Sequence, residues 1–323
     1  MTSRLMLLDT ASLYFRAFHG VPESITAPDG TPVNAVRGLL DMMAMLVRRR
    51  RPDGLVACWD EDWRPAFRVA ALPTYKAHRL AAPDGEAEQV PSALVPQVDV
   101  IVEVLAALGV ARVGAPGYEA DDVLGTLATL APAQGWTEVE IVTGDRDLFQ
   151  LVDDAVGVRV LYTGRGMRNL ESVDRAWLAA KYSIGSGEAY ADLAVLRGDP
   201  SDGLPGVPGV GEKTAAALIT RFGGLTGLLA AVGAPGSDLA PGQRRRLAEA
   251  CDYLAVAPGV VRVVRDLDPA VDLHPAVDLD PAVGGVRLPR EPADPEALIR
   301  LVERWGIGSG VQRFLTAVGW PVG

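Results

Sequence analysis

The chain has 323 residues, 49% of them apolar and 22% charged, which excludes a disordered or fibrous protein and allows one large or two moderate folded units. The N-terminal MTSRLMLLDT meets an acid at Asp9, too early for a signal peptide, and no run of about 18 uninterrupted apolar residues follows; with only Cys58 and Cys251 as cysteines, a cytoplasmic address without membrane or disulfides is expected. The formal net charge of −10 argues against nucleic acid as a partner, unless the acids gather at one site where bound cations would cancel them.

In chain order, Arg4–Asp9 is an aliphatic run of strand length that ends in an acid. Helical spacing follows over Asn34–Arg50, and a second strand over Gly54–Asp60 again ends in an acid. Residues 60–83 then read DEDWRPAFRVAALPTYKAHRLAAP. There Arg64, Arg68, Lys76 and Arg79 alternate with Trp63, Phe67 and Tyr75, a mixture that suits phosphates and stacked bases of single-stranded nucleic acid or, equally, a solvated amphipathic loop. Further on come a helix over Ser92–Leu108, a strand over Ala111–Gly114, a helix over Glu119–Leu130, and strands over Val139–Gly144 and Val158–Tyr162. Strands alternating with helices of this length predict an α/β fold with a parallel, doubly wound sheet. From Val173 onward helices separated by Gly/Pro turns take over, so the chain divides into an α/β core, 1–172, and a mainly helical region, 173–323. Within the second part, DLDPAVDLHPAVDLDPAV at 266–283 repeats Pro-Ala-Val every six residues and reads as an extended acidic connector. Two helices close the chain, around Pro295–Trp305 and Val311–Val318.

Three strand runs end in Asp9, Asp60 and Asp145, and ligand sites of open parallel sheets form outside those strand ends. Each acid alone reads equally as a helix cap. Gly-Tyr-Glu-Ala-Asp-Asp puts Glu119, Asp121 and Asp122 in the first turn of a helix, where one acid would satisfy the helix dipole and three exceed it. Asp145 and Asp147 lie two apart and share a side in extended backbone, or else form an Asx turn and cap. Asp199 and Asp202, in Gly-Asp-Pro-Ser-Asp, share a face or make an ordinary turn. Were all nine to converge, burial and mutual repulsion would demand cations. An all-oxygen set without His or Cys selects Mg2+ or Mn2+, and two or more such ions suit phosphodiester hydrolysis.

LPGVPGVGEKTAAALI, 204–219, has the pattern of a helix–hairpin–helix, spanning 199–222 with its leading loop. Turn amides around Gly209 and Gly211 and the following helix N-terminus would take a DNA backbone phosphate without reading sequence, and Lys213 would add a charge-assisted contact. Such hairpins also hold a monovalent cation through main-chain carbonyls, with K+ the expected one.

Together, LLDTASLYFRAFHGVP, ACWD, FR followed by YKAHR, PGYEADDVLGTLA, IVTGDRDLFQLV and GDPSDGLPGVPGVGEKTA resemble the 5′-nuclease domain of bacterial DNA polymerase I and the wider flap endonuclease superfamily. They occur in the family's order and span residues 5 to about 225, the C-terminal tail fitting more loosely. The resemblance implies a PIN-like sheet flanked by helices, a helical arch at 61–90 and a helix–three-turn–helix. It implies one metal group on Asp9, Asp60, Glu119 and Asp121, and a second on Asp145, Asp147 and Asp202, with Asp122 and Asp199 ligating directly or through water. It places Lys76 and Arg79, with Arg68 close by, over the scissile phosphate as charge-stabilising catalytic groups, and Arg16, Arg64 and Tyr75 along the DNA path. The implied activity is 5′-3′ exonuclease and 5′-flap endonuclease cleavage of DNA, extending to RNA primers, in replication and repair. The expected partners are DNA flaps, nicks, gaps and free 5′ ends, with the enzyme a monomer associated with the nucleoid. Thr10 stands where the family usually has Gly, and Gly203 where it commonly has Asn. The acidic repeat has no counterpart, no polymerase follows, and the closing GWPVG reads as the end of a stand-alone nuclease. Two rivals are weaker: a haloacid-dehalogenase-type phosphatase needs a second Asp where this chain has Ala11, and a catalytically silent DNA-binding relative would have lost acids that are all present here.

Overall fold

The computed structural model describes residues 3–82, 85, 87–234, 236–282 and 284–320. Its sheet has six strands, β1 (Arg4–Asp9), β2 (Gly54–Cys58), β3 (Ala111–Val113), β4 (Glu138–Thr143), β5 (Val158–Tyr162) and β6 (Glu171–Val173), in the order β3-β2-β1-β4-β5-β6. All neighbours pair in parallel except β5 and β6. Leu5, Met6, Leu7 and Leu8 are wholly buried, as a parallel sheet covered on both faces requires. The pleat sends Leu5 and Leu7 into one apolar cluster with Val56, Cys58, Val139 and Ile141, and Met6 and Leu8 into the other with Leu55, Ala57 and Val142.

In chain order the helices are α1 (Thr10–Gly20), α2 (Asn34–Arg50), α3 (Ala66–Ala71), α4 (Val95–Leu108), α5 (Ala120–Leu130), α6 (Arg175–Tyr182), α7 (Gly187–Arg197), α8 (Glu212–Phe222), α9 (Leu225–Gly233), α10 (Pro241–Glu249), α11 (Cys251–Val261), α12 (Pro295–Trp305) and α13 (Gly308–Val318). Residues of α2, α4, α12 and α13 cover one face of the sheet, and those of α5, α7, α8 and α11 belong to the cluster on the other. The last two helices therefore join the core, with Phe314 and Ile307 fully buried. Among the described residues no single helix is long and apolar enough to cross a membrane; α8 and α9, bent by 82°, qualify only as a pair and only by length and composition.

Two expectations are corrected here. Within 61–90 the described residues form no long helical arch: α3 has six residues, a 3-10 turn covers Ala77–Arg79, and Leu80 bridges to Glu88. The repeat at 266–283 is also no extended connector. Its Leu267, Leu273 and Leu279 recur every six residues and all are buried in the core, while the acids between them accept from backbone amides of their own turns: Asp268 from Ala270, Asp278 from Asp280, Asp280 from Ala282. His274 exchanges two backbone hydrogen bonds with Gly114 (2.8 and 3.0 Å), and Trp136 Nε1 donates to the Leu279 carbonyl at 2.6 Å. The segment thereby covers the exposed edge beside β3. Val283 lies outside the described residues.

Candidate nuclease site

Asp9, Asp60 and Asp145 follow β1, β2 and β4, three adjacent strands, so one crevice at their carboxyl ends receives all three side chains. Asp9 is pinned by two bonds: Oδ2 accepts from Thr143 Oγ1 at 2.6 Å, and Oδ1 caps α1 through the Ser12 amide at 3.1 Å. Burial, with the charge of Asp60 adding, pushes its pKa up to about 7. Asp60 accepts from the Ala120 amide (2.8 Å), and burial pushes it to about 6. That amide opens α5, whose N-cap Glu119 and third residue Asp122 form a reciprocal capping box. Asp121, between them, enters the same cleft; burial and then the charge of Asp145 hold its pKa well above the carboxylate range.

The cleft has a volume of about 550 Å³ and is lined by Asp9, Asp60, Glu119, Asp121 and Asp145, with Lys76 and Arg79 as its cations. A smaller crevice beside it adds Asp147 and Asp202 to Glu119 and Asp121. Asp145 Oδ1 accepts from the Asp147 amide at 2.8 Å, so this pair does make the Asx turn that its spacing allowed. The turn still leaves Asp147 in the crevice, raised well above its ordinary pKa by burial and by Asp145. Asp199 lies at the crevice's margin, where its charge reaches Asp147, and it caps its own turn through the Ser201 amide at 2.8 Å.

Two of the acidic and basic candidates turn inward instead. Arg68, expected over the phosphate, is 2% exposed and donates to Glu119 at 2.6 Å and to both oxygens of Asp122 at 2.8 and 2.6 Å. Asp122 spends its remaining capacity on the amides of Val264 and Glu119, so no lone pair is left to face an ion. Both belong to the scaffold that holds Glu119. Tyr75 is buried too, its hydroxyl donating to Glu119 at 2.6 Å. Arg64 donates to the carbonyls of Tyr75 and Pro73 at 2.7 and 2.9 Å and so ties its own loop.

Lys76 and Arg79 do reach the acids, each through a different partner. Lys76 sits before the 3-10 turn with φ +47 and pairs with Glu119; Arg79 pairs with Asp202 Oδ1 at 2.7 Å. Burial disfavours the Lys76 ammonium, yet Glu119, then Asp202 and Asp121, keep its pKa well above the ordinary value. Arg16 on α1 lies beside Gly144 with its Nε buried and without a hydrogen-bond partner. Aromatic lining comes from Trp63 and from three residues that the sequence pattern did not single out, Tyr14, Phe15 and Trp59. Their signal lay in the motif LYFR and in the residue before Asp60.

Among the described residues no three carboxylate, imidazole or thiol groups converge closely enough to cage an ion as they stand. The reason is visible: Lys76 and Arg79 occupy Glu119 and Asp202, and Thr143 and Ser12 hold Asp9. Burial raises the pKa values of Asp9, Asp60, Asp121 and Asp147, and neighbouring carboxylates add to it. An all-oxygen donor set with unmet negative charge fits hard divalent cations.

Asp199 to Leu204 closes on itself through two backbone bonds of 3.0 and 2.9 Å and leads straight into the hairpin. Gly209 has φ +73, the left-handed region that glycine enters freely, whereas Gly211 is at −85 and starts α8 with no side-chain cap. The N-cap of α8 thus makes no side-chain bond to its opening amides, and Lys213 is exposed beside them. Arg246 on α10 lies against this turn, its Nη1 3.4 Å from the Gly209 carbonyl. It was overlooked in the sequence, where the run Arg244–Arg246 was its signal.

Residues 4–183 match the family described as 5′-3′ exonuclease, N-terminal resolvase-like domain, and residues 186–281 match 5′-3′ exonuclease, C-terminal SAM fold. The chain belongs to the 5′-3′ exonuclease family. A 5′-3′ exonuclease of Streptomyces coelicolor is 58% identical over 97% of this chain and 99% of the relative, and one of Mycobacterium tuberculosis 50% identical over 98% of each. In fold the chain is similar to the bacteriophage T5 D15 flap endonuclease solved as a pseudo-enzyme–product complex with DNA and metal ions: TM-score 0.61, 16% identity, covering 98% of this chain and 99% of that one. Thr10 occupies the first position of α1 and is buried.

Proposed function

We propose that this chain hydrolyses phosphodiester bonds of DNA as a 5′-3′ exonuclease and 5′-flap endonuclease, using two or more Mg2+ or Mn2+ ions. One observation carries the reading: Asp9, Asp60, Glu119, Asp121, Asp145, Asp147 and Asp202, from three strand ends, α5, a 3-10 turn and the 199–204 loop, line two adjoining crevices in which Arg68 and Lys76 pair with Glu119 and Arg79 with Asp202. Asp9, Asp60, Glu119 and Asp121 would hold one group, and Asp145, Asp147 and Asp202 the other, with Asp199 acting through water. Divalent ions there would acidify water and offset charge on the phosphate.

The protein's own groups do the rest. Ser12 and Thr143 keep Asp9 aimed into the cleft, and the Ala120 amide does the same for Asp60. With divalent ions held at Glu119 and Asp202, Lys76 and Arg79 would be free to meet the charge that grows on the phosphate in the transition state. Tyr14, Phe15, Trp59 and Trp63 offer ring faces to bases beside the reacting bond, and Arg16 a phosphate contact. Duplex DNA is held at the hairpin by the amides after Gly209 and by Lys213. K+ at that turn would compete with Arg246 for the Gly209 carbonyl.

The functional division falls at 172, with the sheet before it and the hairpin after it, while α12 and α13 return to pack on the sheet. Relatives named DNA polymerase I, such as that of Mycobacterium bovis at 43% identity over 76% of this chain, support a role in replication and repair, primer removal included. The test is a 5′-labelled flap duplex incubated with Mg2+, Mn2+ or EDTA. Cleavage should need metal and yield 5′-phosphates, and Asp147→Ala should abolish it. A metal-independent cut, or full activity in Asp147→Ala, refutes the reading.

A further inference from the structure

The segment carrying Lys76 and Arg79 is not free in the cleft; it rests on the loop that carries Asp202. Thr74 Oγ1 donates to the Gly203 carbonyl at 2.8 Å, the Lys76 amide to the Asp202 carbonyl at 3.0 Å, and Arg79 Nη2 to the Ser201 carbonyl at 3.0 Å as well as to Asp202 itself. Beneath these bonds lies Gly203, with φ +74. A Cβ added there would stand 2.1 Å from the Thr74 carbonyl oxygen and 2.9 Å from its carbon. Both are backbone atoms and cannot swing aside. Lys76 itself takes a left-handed conformation, φ +47, which a lysine keeps only where its surroundings impose it. Its own amide bond to Asp202 and its pairing with Glu119 are those surroundings.

We propose that Gly203 is the seat of the basic segment and so a positioning residue for Lys76 and Arg79. This deepens the function proposed above and rests on the roles given there to the two cations. Asn tolerates positive φ as Gly203 does, but its Cβ would claim the space that the Thr74 carbonyl fills. The close seating therefore depends on glycine at this position.

The experiment compares wild type with Gly203→Asn by three readouts. These are hydrogen–deuterium exchange over residues 72–82, single-turnover cleavage of a saturating 5′-flap substrate with Mg2+, and the duplex dissociation constant at fixed ionic strength. Because Asn accepts the backbone conformation, the 199–204 loop and the hairpin should stay folded and duplex affinity should hold within about twofold. Exchange at the Lys76 amide should rise, and the single-turnover rate should fall at least about tenfold. Unchanged exchange over 72–82 overturns the seat. Faster exchange with an unchanged rate upholds the seat and overturns the catalytic roles of Lys76 and Arg79. If Gly203→Asn does not fold, Thr74→Val removes the bond to the Gly203 carbonyl and leaves the glycine; unaltered exchange in that variant overturns the proposal equally.

Discussion

Whether Arg68 works above the substrate or beneath the metal site is decided by stability rather than by activity alone. Its side chain is 2% exposed and makes three carboxylate bonds, at 2.6, 2.8 and 2.6 Å, plus one from Nε to the Val260 carbonyl at 3.1 Å. Arg68→Met keeps much of the volume and deletes the charge, leaving Glu119 and Asp122 as neighbouring buried carboxylates. Breaking a buried pair in this way costs about 3–5 kcal/mol, since the partner's desolvation is no longer offset. At about 2 °C per kcal/mol for a chain of this size, the melting point in EDTA should drop by roughly 6–10 °C. Mg2+ should recover part of the loss, because an ion can neutralise Glu119 but not the wholly buried Asp122. Arg68→Lys keeps a charge without the forked geometry and should fall between. Circular-dichroism melts of the three proteins, with and without Mg2+, test this. If Arg68→Met melts within about 1 °C of wild type and only cleavage suffers, the buried placement is wrong and the residue faces the DNA.

Three further outcomes follow from the same geometry. Gly211 has φ −85 and open space where a Cβ would point, so Gly211→Val should fold normally yet weaken duplex binding by about tenfold, ~1.4 kcal/mol, with single-strand binding spared; equal losses on both would make the hairpin merely structural. Asp9 and Asp60 have folded-state pKa values of about 7 and 6 against an ordinary 3.8, so the metal-free fold binds more protons than the unfolded chain between about pH 4 and 7 and loses stability as pH rises through that window. Melting in EDTA should accordingly fall from pH 5 to pH 8, and Mg2+ should raise the midpoint far more at pH 8; an equal metal effect at both would contradict the crowding of charge. Leu273, 1% exposed in the repeat, should cost about 2–5 kcal/mol on change to Ala in urea unfolding, whereas a loose connector would lose nothing.

The five parallel strands and the acids at their ends were legible because both signals are local: an aliphatic run, then a carboxylate. β6 was missed since three residues, ESV, on an antiparallel edge carry no periodicity. α1 is hard to read because it begins at the residue after β1, whose last residue Asp9 is also its N-cap, so no loop separates the two. Which basic residues face the cleft could not be read, for alternation of Arg, Lys and aromatics is the same whether a side chain points in or out. Arg68 is decided by partners 51 and 54 residues away, and Tyr75 by one 44 away. The repeat misled for a different reason: its acids dominate the composition, while the leucine in each unit does the packing.

That six-residue unit has a consequence for how the chain finds its place. Leu267, Leu273 and Leu279 are chemically interchangeable, so sliding the strand of units by one step would offer the core the same side chains in the same order. What selects a single register is whatever differs from unit to unit. His274, the residue that replaces an Asp of the neighbouring units, meets Gly114 at the sheet edge, and the indole of Trp136 takes the Leu279 carbonyl alone. Those two tethers, rather than the leucines, thus decide which unit of the repeat lies against the β3 edge.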